Sequence, residues 1–154
     1  MRTWQKFRER LINLYPPFLG AGIRARRVDE RTYEVRLKMN SFNRNLVGTH
    51  FGGSLYAMCD PWFMLILMRL LGNGYIVWDK QANIQFLPPG RGTVTAQFHI
   101  PPERVDVIRA EANHNEKVEP TFSTEVLDSE GQVVARVEKL LYVRKKTAEG
   151  AAPK

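Results

Sequence analysis

Between Gly53 and Gly72 the chain carries only two charged side chains, Asp60 and Arg69, in a run dominated by Leu, Met, Phe, Ile and Trp. A helix built from this run is apolar on every face and must be covered all round. Its ends are marked by Gly52-Gly53 and by Gly72-Asn73-Gly74, a strong stop signal. Pro61 falls inside it and is expected to kink or re-cap it, because proline removes a backbone hydrogen bond. Asp60 stands just before that proline. A lone carboxylate in such surroundings needs a partner or a task, and a local helix cap is the plainest task open to it. One sheet covers only part of such a helix, so a second copy of the chain is expected to cover more.

The flanking sequence supplies that sheet. Trp4, Phe7, Leu11 and Leu14 recur at helical spacing, so a short amphipathic helix is expected over residues 3–14, ended by Pro16-Pro17. Strands are expected over 20–28 and 32–39. In the second, Tyr33, Val35, Leu37 and Met39 alternate with Thr32, Glu34, Arg36 and Lys38, the period of a half-buried strand. Residues 40–50 read as a loop. Beyond the apolar helix, strands are expected over 75–87, 93–100, 122–127 and 133–143. Val105, Ile108 and Ala112 give a short helix over 103–113 one apolar face. The expected class is α+β: one curved antiparallel sheet wrapped around a central helix. One domain over 1–146 is expected, with a loose tail over 147–154.

Composition narrows the function classes. The 154 residues are 44% hydrophobic, enough for a real core. The one cysteine, Cys59, excludes an internal disulfide and fits a reducing, cytoplasmic setting. Set in an apolar run, it reads as a small core residue rather than a nucleophile. The net charge of +7 sits in residues 1–47, which hold eleven Lys/Arg against four Asp/Glu. The basic residues are scattered, with no compact block interleaved with aromatics, so no nucleic-acid partner is expected. No signal peptide is legible, and Asp60, Pro61 and Arg69 interrupt the greasiest segment, so no membrane span is expected. His50, His99 and His114 lie far apart, and no metal site is expected. No P-loop, dinucleotide fingerprint or nucleophile-elbow serine is present, and no cofactor is expected.

The segment from Asn45 to Asp60 holds the candidate chemistry. Gly52 and Gly53 place bare backbone at a helix start, where unpaired N–H groups can hold a negative oxygen. Gly52 is the candidate oxyanion donor, though a glycine is equally suited to a tight turn. Asn45 is a candidate for orienting water or the acyl carbonyl, or a turn former. Asp60 is the candidate base, and burial among apolar neighbours is expected to sharpen its basicity. His50, Phe51, Gly53 and Ser54 are candidate substrate contacts. Asp79 and Lys80 interrupt an apolar strand and either line the site or form an exposed ion pair. Arg91 is the candidate for the phosphates of a phosphorylated small molecule, with Arg44, Arg26 and Arg27 behind it. Met58, Met64, Met68, Phe63 and Leu67 either line an acyl tunnel or are plain core.

The layout resembles the hotdog fold. The run Asn45-Leu-Val-Gly-Thr-His-Phe-Gly-Gly, with Asp60 two turns on, resembles the signature loop of the hotdog thioesterases of the phenylacetate-pathway acyl-CoA type. It is also similar to a bacterial thioesterase-like branch of that superfamily. The resemblance implies an acyl-CoA or related thioester substrate, and Asp60 acting on water or on the carbonyl. It also implies a site at the interface of a homodimer or dimer of dimers, with the polar residue near Asp79 reaching it from the partner. The sequence departs from the pattern in one place: Phe51 stands where those enzymes carry histidine, and His50 is displaced by one position. That departure motivates an alternative, a non-catalytic acyl-CoA or fatty-acyl binding protein. A hydroxyacyl-thioester dehydratase ranks last, because it needs the misplaced histidine.

Overall fold

The computed structural model describes residues 11–146. The expected helix over 3–14 lies largely outside them. Tyr15 is followed by a short helix α1, Pro16–Ala21, rather than by the start of a strand. Leu11 and Ile12 are helical, and that segment ends before the prolines. Proline at the first helical position has no N–H to waste and a φ suited to the helix, so Pro16-Pro17 also begins a new helix. Gly22, at φ 79°, closes α1 in the left-handed conformation. Strand β1 runs Ile23–Arg27 and β2 runs Thr32–Lys38. The central stretch forms α2, Gly52–Ala57, and α3, Trp62–Leu71. Strands β3, Tyr75–Phe86, and β4, Thr93–His99, precede α4, Pro102–His114. Strands β5, Thr121–Leu127, and β6, Val133–Lys145, complete the described chain.

All six strands form one antiparallel sheet in the order β1-β2-β4-β5-β6-β3. It curls around the α2–α3 stretch in the hotdog arrangement. Alternating strand positions supply the lining: Val35 and Leu37 from β2, Val94, Ala96 and Phe98 from β4, Val137, Leu141 and Val143 from β6, all buried. Trp62, fully buried, is the hub against the helix. Its ring lies 5.0 Å from Tyr33, 5.8 Å from Phe18 and 6.2 Å from Phe98. Arg109 of α4 donates to the carbonyls of Leu70 and Leu71 at 2.6 and 3.1 Å, satisfying the end of α3. The face Val105, Ile108 and Ala112 of α4 is buried, as its spacing predicts.

Pro61 breaks the central helix. Cys59 and Asp60 donate to Tyr56 and Ala57, three residues back, and the helix restarts at Trp62. The Trp62 indole N–H donates to the Met58 carbonyl at 2.6 Å, which bridges the break. Gly52–Leu71 spans 20 residues and is long and apolar enough to cross a membrane by length and composition. In this fold it is the interrupted core helix that the sheet surrounds. Met58, Phe63 and Leu67 are core, Met64 is partly buried, and Met68 is exposed, so these five side chains do not line one common tunnel.

Candidate functional site

The loop before α2 is organised by Asn45. Its Oδ1 accepts from the backbone N–H groups of Val47 and Thr49, and its Nδ2 donates to Thr49 Oγ1 at 2.8 Å and to the His50 carbonyl at 3.3 Å. Both ends of the amide are occupied within the loop. Asn45 therefore acts here as the turn former, and the water-orienting task expected of it has no free group to perform it.

Gly52 is the first residue of α2, so its N–H has no partner within the helix. It lies on the wall of a cavity of about 230 Å³, with Asn45, Thr49, His50, Leu55, Phe86, the 87–90 turn and Val134. A side chain at Gly52 would start 3.0 Å from the Phe86 ring, and one at Gly53 would start 2.4 Å from the Phe51 ring. A side chain at either glycine would therefore require one of these two exposed rings to shift. Phe51 itself is exposed. His50 is turned inward and 4% exposed. Its Nε2 meets the Gly92 carbonyl at 3.0 Å, which fixes Nε2 as the protonated nitrogen and leaves the buried Nδ1 as an acceptor without a partner. Burial, opposed in part by Gly92, holds the ring below the ordinary histidine pKa, in its neutral form. Ser54 is buried and belongs to a second, more open hollow with Phe42, Arg44 and Phe51 on the other side of the loop.

Asp60 lies at the helix break and lines neither hollow. Its side chain is 47% exposed, so the burial expected to sharpen it is absent in the single chain. The side chain does not cap α3 either. Its Oδ1 accepts from the Tyr56 hydroxyl at 2.7 Å and from the Lys139 ammonium at 2.9 Å. Lys139 is the buried member of the pair, 1% exposed. It also meets Tyr56 Oη at 3.2 Å and Asp79 Oδ1 at 3.2 Å, the latter an ion pair off hydrogen-bond geometry. Burial pulls the lysine pKa down, but the bonds to Asp60 and Tyr56 and the two carboxylate charges outweigh it and hold the ammonium above its usual value. Burial raises the Asp79 carboxyl, with Lys139 opposing. Burial pushes the neighbouring Cys59 thiol up to about 12, which leaves it un-ionised and unsuited to nucleophilic attack.

Asp79 and Lys80, adjacent in sequence, part company. Asp79 pairs in register with Leu141 and Gln81 with Leu140, so Lys80 is the extra residue of a β-bulge. The bulge leaves Asp79 facing Lys139 while Lys80 reaches Glu119 at 2.8 Å on the surface. The expected pairing of Lys80 with Asp79 is replaced by that surface bridge. Arg91 is exposed on the turn before β4.

Lys139, Tyr56 and Phe86 are absent from the sequence-based candidates. Lys139 has a legible signal: along β6 the buried inward positions are Ala135, Val137, Lys139, Leu141 and Val143, and a lysine occupies one of five core slots. Such a lysine requires a buried acidic partner.

A family model described as "Domain of unknown function (DUF4442)" matches residues 4–143. No curated protein matches. Among solved structures, a Pseudomonas aeruginosa protein of unknown function described as a probable thioesterase is 19% identical. The match covers 92% of this chain and 96% of that one, at a TM-score of 0.83. A Haemophilus influenzae thioesterase is 15% identical over 91% of this chain and 90% of its own, at 0.65. The PaaI protein of the Escherichia coli phenylacetic acid degradation operon is 19% identical over 94% and 93%, at 0.63. At these identities the likeness shows a common fold.

Proposed function

The chain belongs to the DUF4442 family, and we propose that it hydrolyses an acyl thioester, with acyl-CoA the expected substrate, at a site shared by two copies. The observation that carries this reading is the placement of two groups on one helical stretch. Gly52, whose N–H has no partner within the helix, lies in the wall of a cavity, and a half-exposed carboxylate stands at Asp60. Eight residues of helical path separate them, about 12 Å at the usual rise. A single carbonyl must lie about 3 Å from both its oxyanion donor and its attacking water. One copy does not bring the two groups that close. Two copies related by a two-fold axis can set the glycine turn of one against Asp60 of the other.

Surface chemistry supports the pairing. β3 is a 12-residue edge of the sheet, and edges of that length are ordinarily covered. Phe42, Leu46, Val47, Phe51, Trp78 and Phe86 are all exposed in the single chain. A cavity of about 230 Å³ is also small for an acyl chain and its pantetheine arm, and a second copy would extend it. In the reaction, Asp60 takes a proton from water as the water oxygen bonds to the carbonyl carbon. The Gly52 N–H holds the resulting oxyanion. The carbon–sulfur bond then breaks, and the thiolate leaves with the proton that Asp60 took from water, which restores the carboxylate.

Thiol release measured over acetyl-, octanoyl-, palmitoyl- and benzoyl-CoA tests this directly. Turnover with at least one of them, abolished in Asp60→Asn with binding retained, supports the hydrolase. One observation favours a second reading, that of an acyl-thioester binding protein: an exposed Phe51 stands where the resembling enzymes carry histidine, and the Nε2 of His50 is held by the Gly92 carbonyl. Tight binding of an acyl-CoA without release of thiol would select it. The same inward His50 counts against the dehydratase.

A further inference from the structure

We propose that Lys139 is a positioning residue that selects which oxygen of Asp60 meets the reactants. The inference rests on the thioester-hydrolase reading above and adds to it a part that no sequence motif announces. Both donors at Asp60, the Tyr56 hydroxyl and the Lys139 ammonium, converge on Oδ1. Among the described residues no hydrogen bond reaches Oδ2. A carboxylate rotates freely unless its oxygens are made unequal. Two charge-assisted or hydroxyl donors on one oxygen make them so and leave the other for water.

The lysine is itself held from several sides. β6 delivers it to a core position, where its stem is buried and its ammonium cannot swing to solvent. The bulge at Lys80 turns Asp79 onto it from β3. Tyr56 reaches it from α2 by its hydroxyl, and the ammonium lies 5.4 Å from the centre of its ring. A surface lysine would wander, whereas this one has a single place to be. Lys139 therefore acts through Asp60 and touches no reacting atom.

The titratable groups around Asp60 are Tyr56 from α2, Cys59 from the helix break, Asp79 from β3 and Lys139 from β6. Tyr56 and Cys59 are held above their ordinary values, so neither takes up a proton in the acid range. Removing the ammonium makes protonation of a neighbouring carboxylate easier. The acid limb of the rate profile must then move to higher pH.

The experiment compares wild type, Asp60→Asn, Lys139→Met and Tyr56→Phe in thiol release across pH. Loss of a hydrogen bond to a charged group predicts a kcat about 10- to 100-fold lower in Lys139→Met with KM within about two-fold. Its acid limb moves to higher pH. Tyr56→Phe shows the same change to a smaller degree. A folded Lys139→Met with wild-type kcat and an unmoved acid limb, beside an inactive Asp60→Asn, overturns the positioning role alone. If Lys139→Met does not fold, Tyr56→Phe decides, and a wild-type profile there overturns it. A wild type without turnover, or Asp60→Asn at full rate, overturns this inference together with the function it rests on.

Discussion

At the start of α2 the chain presents backbone; at its end it presents side chains. The glycine turn is local: Asn45 folds the loop with its own amide, and Gly52 and Gly53 leave room for Phe86 and Phe51. The charged cluster at the helix break gathers Tyr56, Asp60, Asp79 and Lys139 from three separate parts of the chain. The turn can be weakened one atom at a time. The cluster holds a buried cation, so each member depends on the others. Substitutions in the two places should therefore differ in kind, with rate lost at one and stability also lost at the other.

The sharpest contrast comes from Asp60→Asn. A lost base costs roughly 10²- to 10⁴-fold in kcat, and the variant should keep its fold because the side chain is half-exposed. Next, Gly52→Pro removes the N–H of interest at a position where proline is accepted, and the Cβ it adds 3.0 Å from the Phe86 ring is relieved by a small movement of that exposed side chain. Phe51, at φ −65° and ψ 125°, already has the conformation that precedes proline. A lost oxyanion donor predicts about 10²- to 10³-fold lower kcat with little change in melting temperature. Equal rates in wild type and Gly52→Pro would remove the turn from the chemistry.

Lys139→Met moves in the other direction, toward stability. Losing the buried ammonium leaves the half-buried Asp79 without its counter-charge, while Asp60 is half-exposed and screened by water. Lys139→Met should therefore melt lower than wild type, but by less than a fully buried broken pair would, read by calorimetry or denaturant titration. A melting point unchanged from wild type would mean that the cluster carries no such load. The smallest effect is expected at Asp79. Burial raises its folded-state pKa, so the folded chain binds this proton more tightly than the unfolded chain does, and stability is lost as pH rises from the unfolded value through the folded one. Asp79→Asn, which mimics the protonated acid, should melt slightly higher than wild type at pH 7, with the gain vanishing as pH falls below the ordinary aspartate value. A lower melting point at pH 7 would show the pair with Lys139 to be the stronger influence.

The same contrast governs what could be read from sequence. The central helix, its break at Pro61, the antiparallel sheet and the Gly52-Gly53 turn were legible because each is written in neighbouring residues. The short helix Pro16–Ala21 was not read, because Pro16-Pro17 suits a helix start as well as an end. The pairing of Asp60 with Lys139 was not legible, because Lys139 lies 79 residues away and reaches it through strand register. The direction of Asp79 depended on a one-residue bulge that no local pattern marks. Asn45 and His50 were placed at the right loop, but the Asn45 amide and the His50 Nε2 are spent on the protein itself.

The central claim, that two copies share each site, is tested most directly by mixing inactive variants. Gly52→Pro and Asp60→Asn chains, dissociated and reassorted, give mixed dimers in which one site carries both changes and the other carries none. Random reassortment predicts a return to about a quarter of wild-type thiol release. No return of activity, with mixed dimers present, would contradict a shared site and place the chemistry within a single copy.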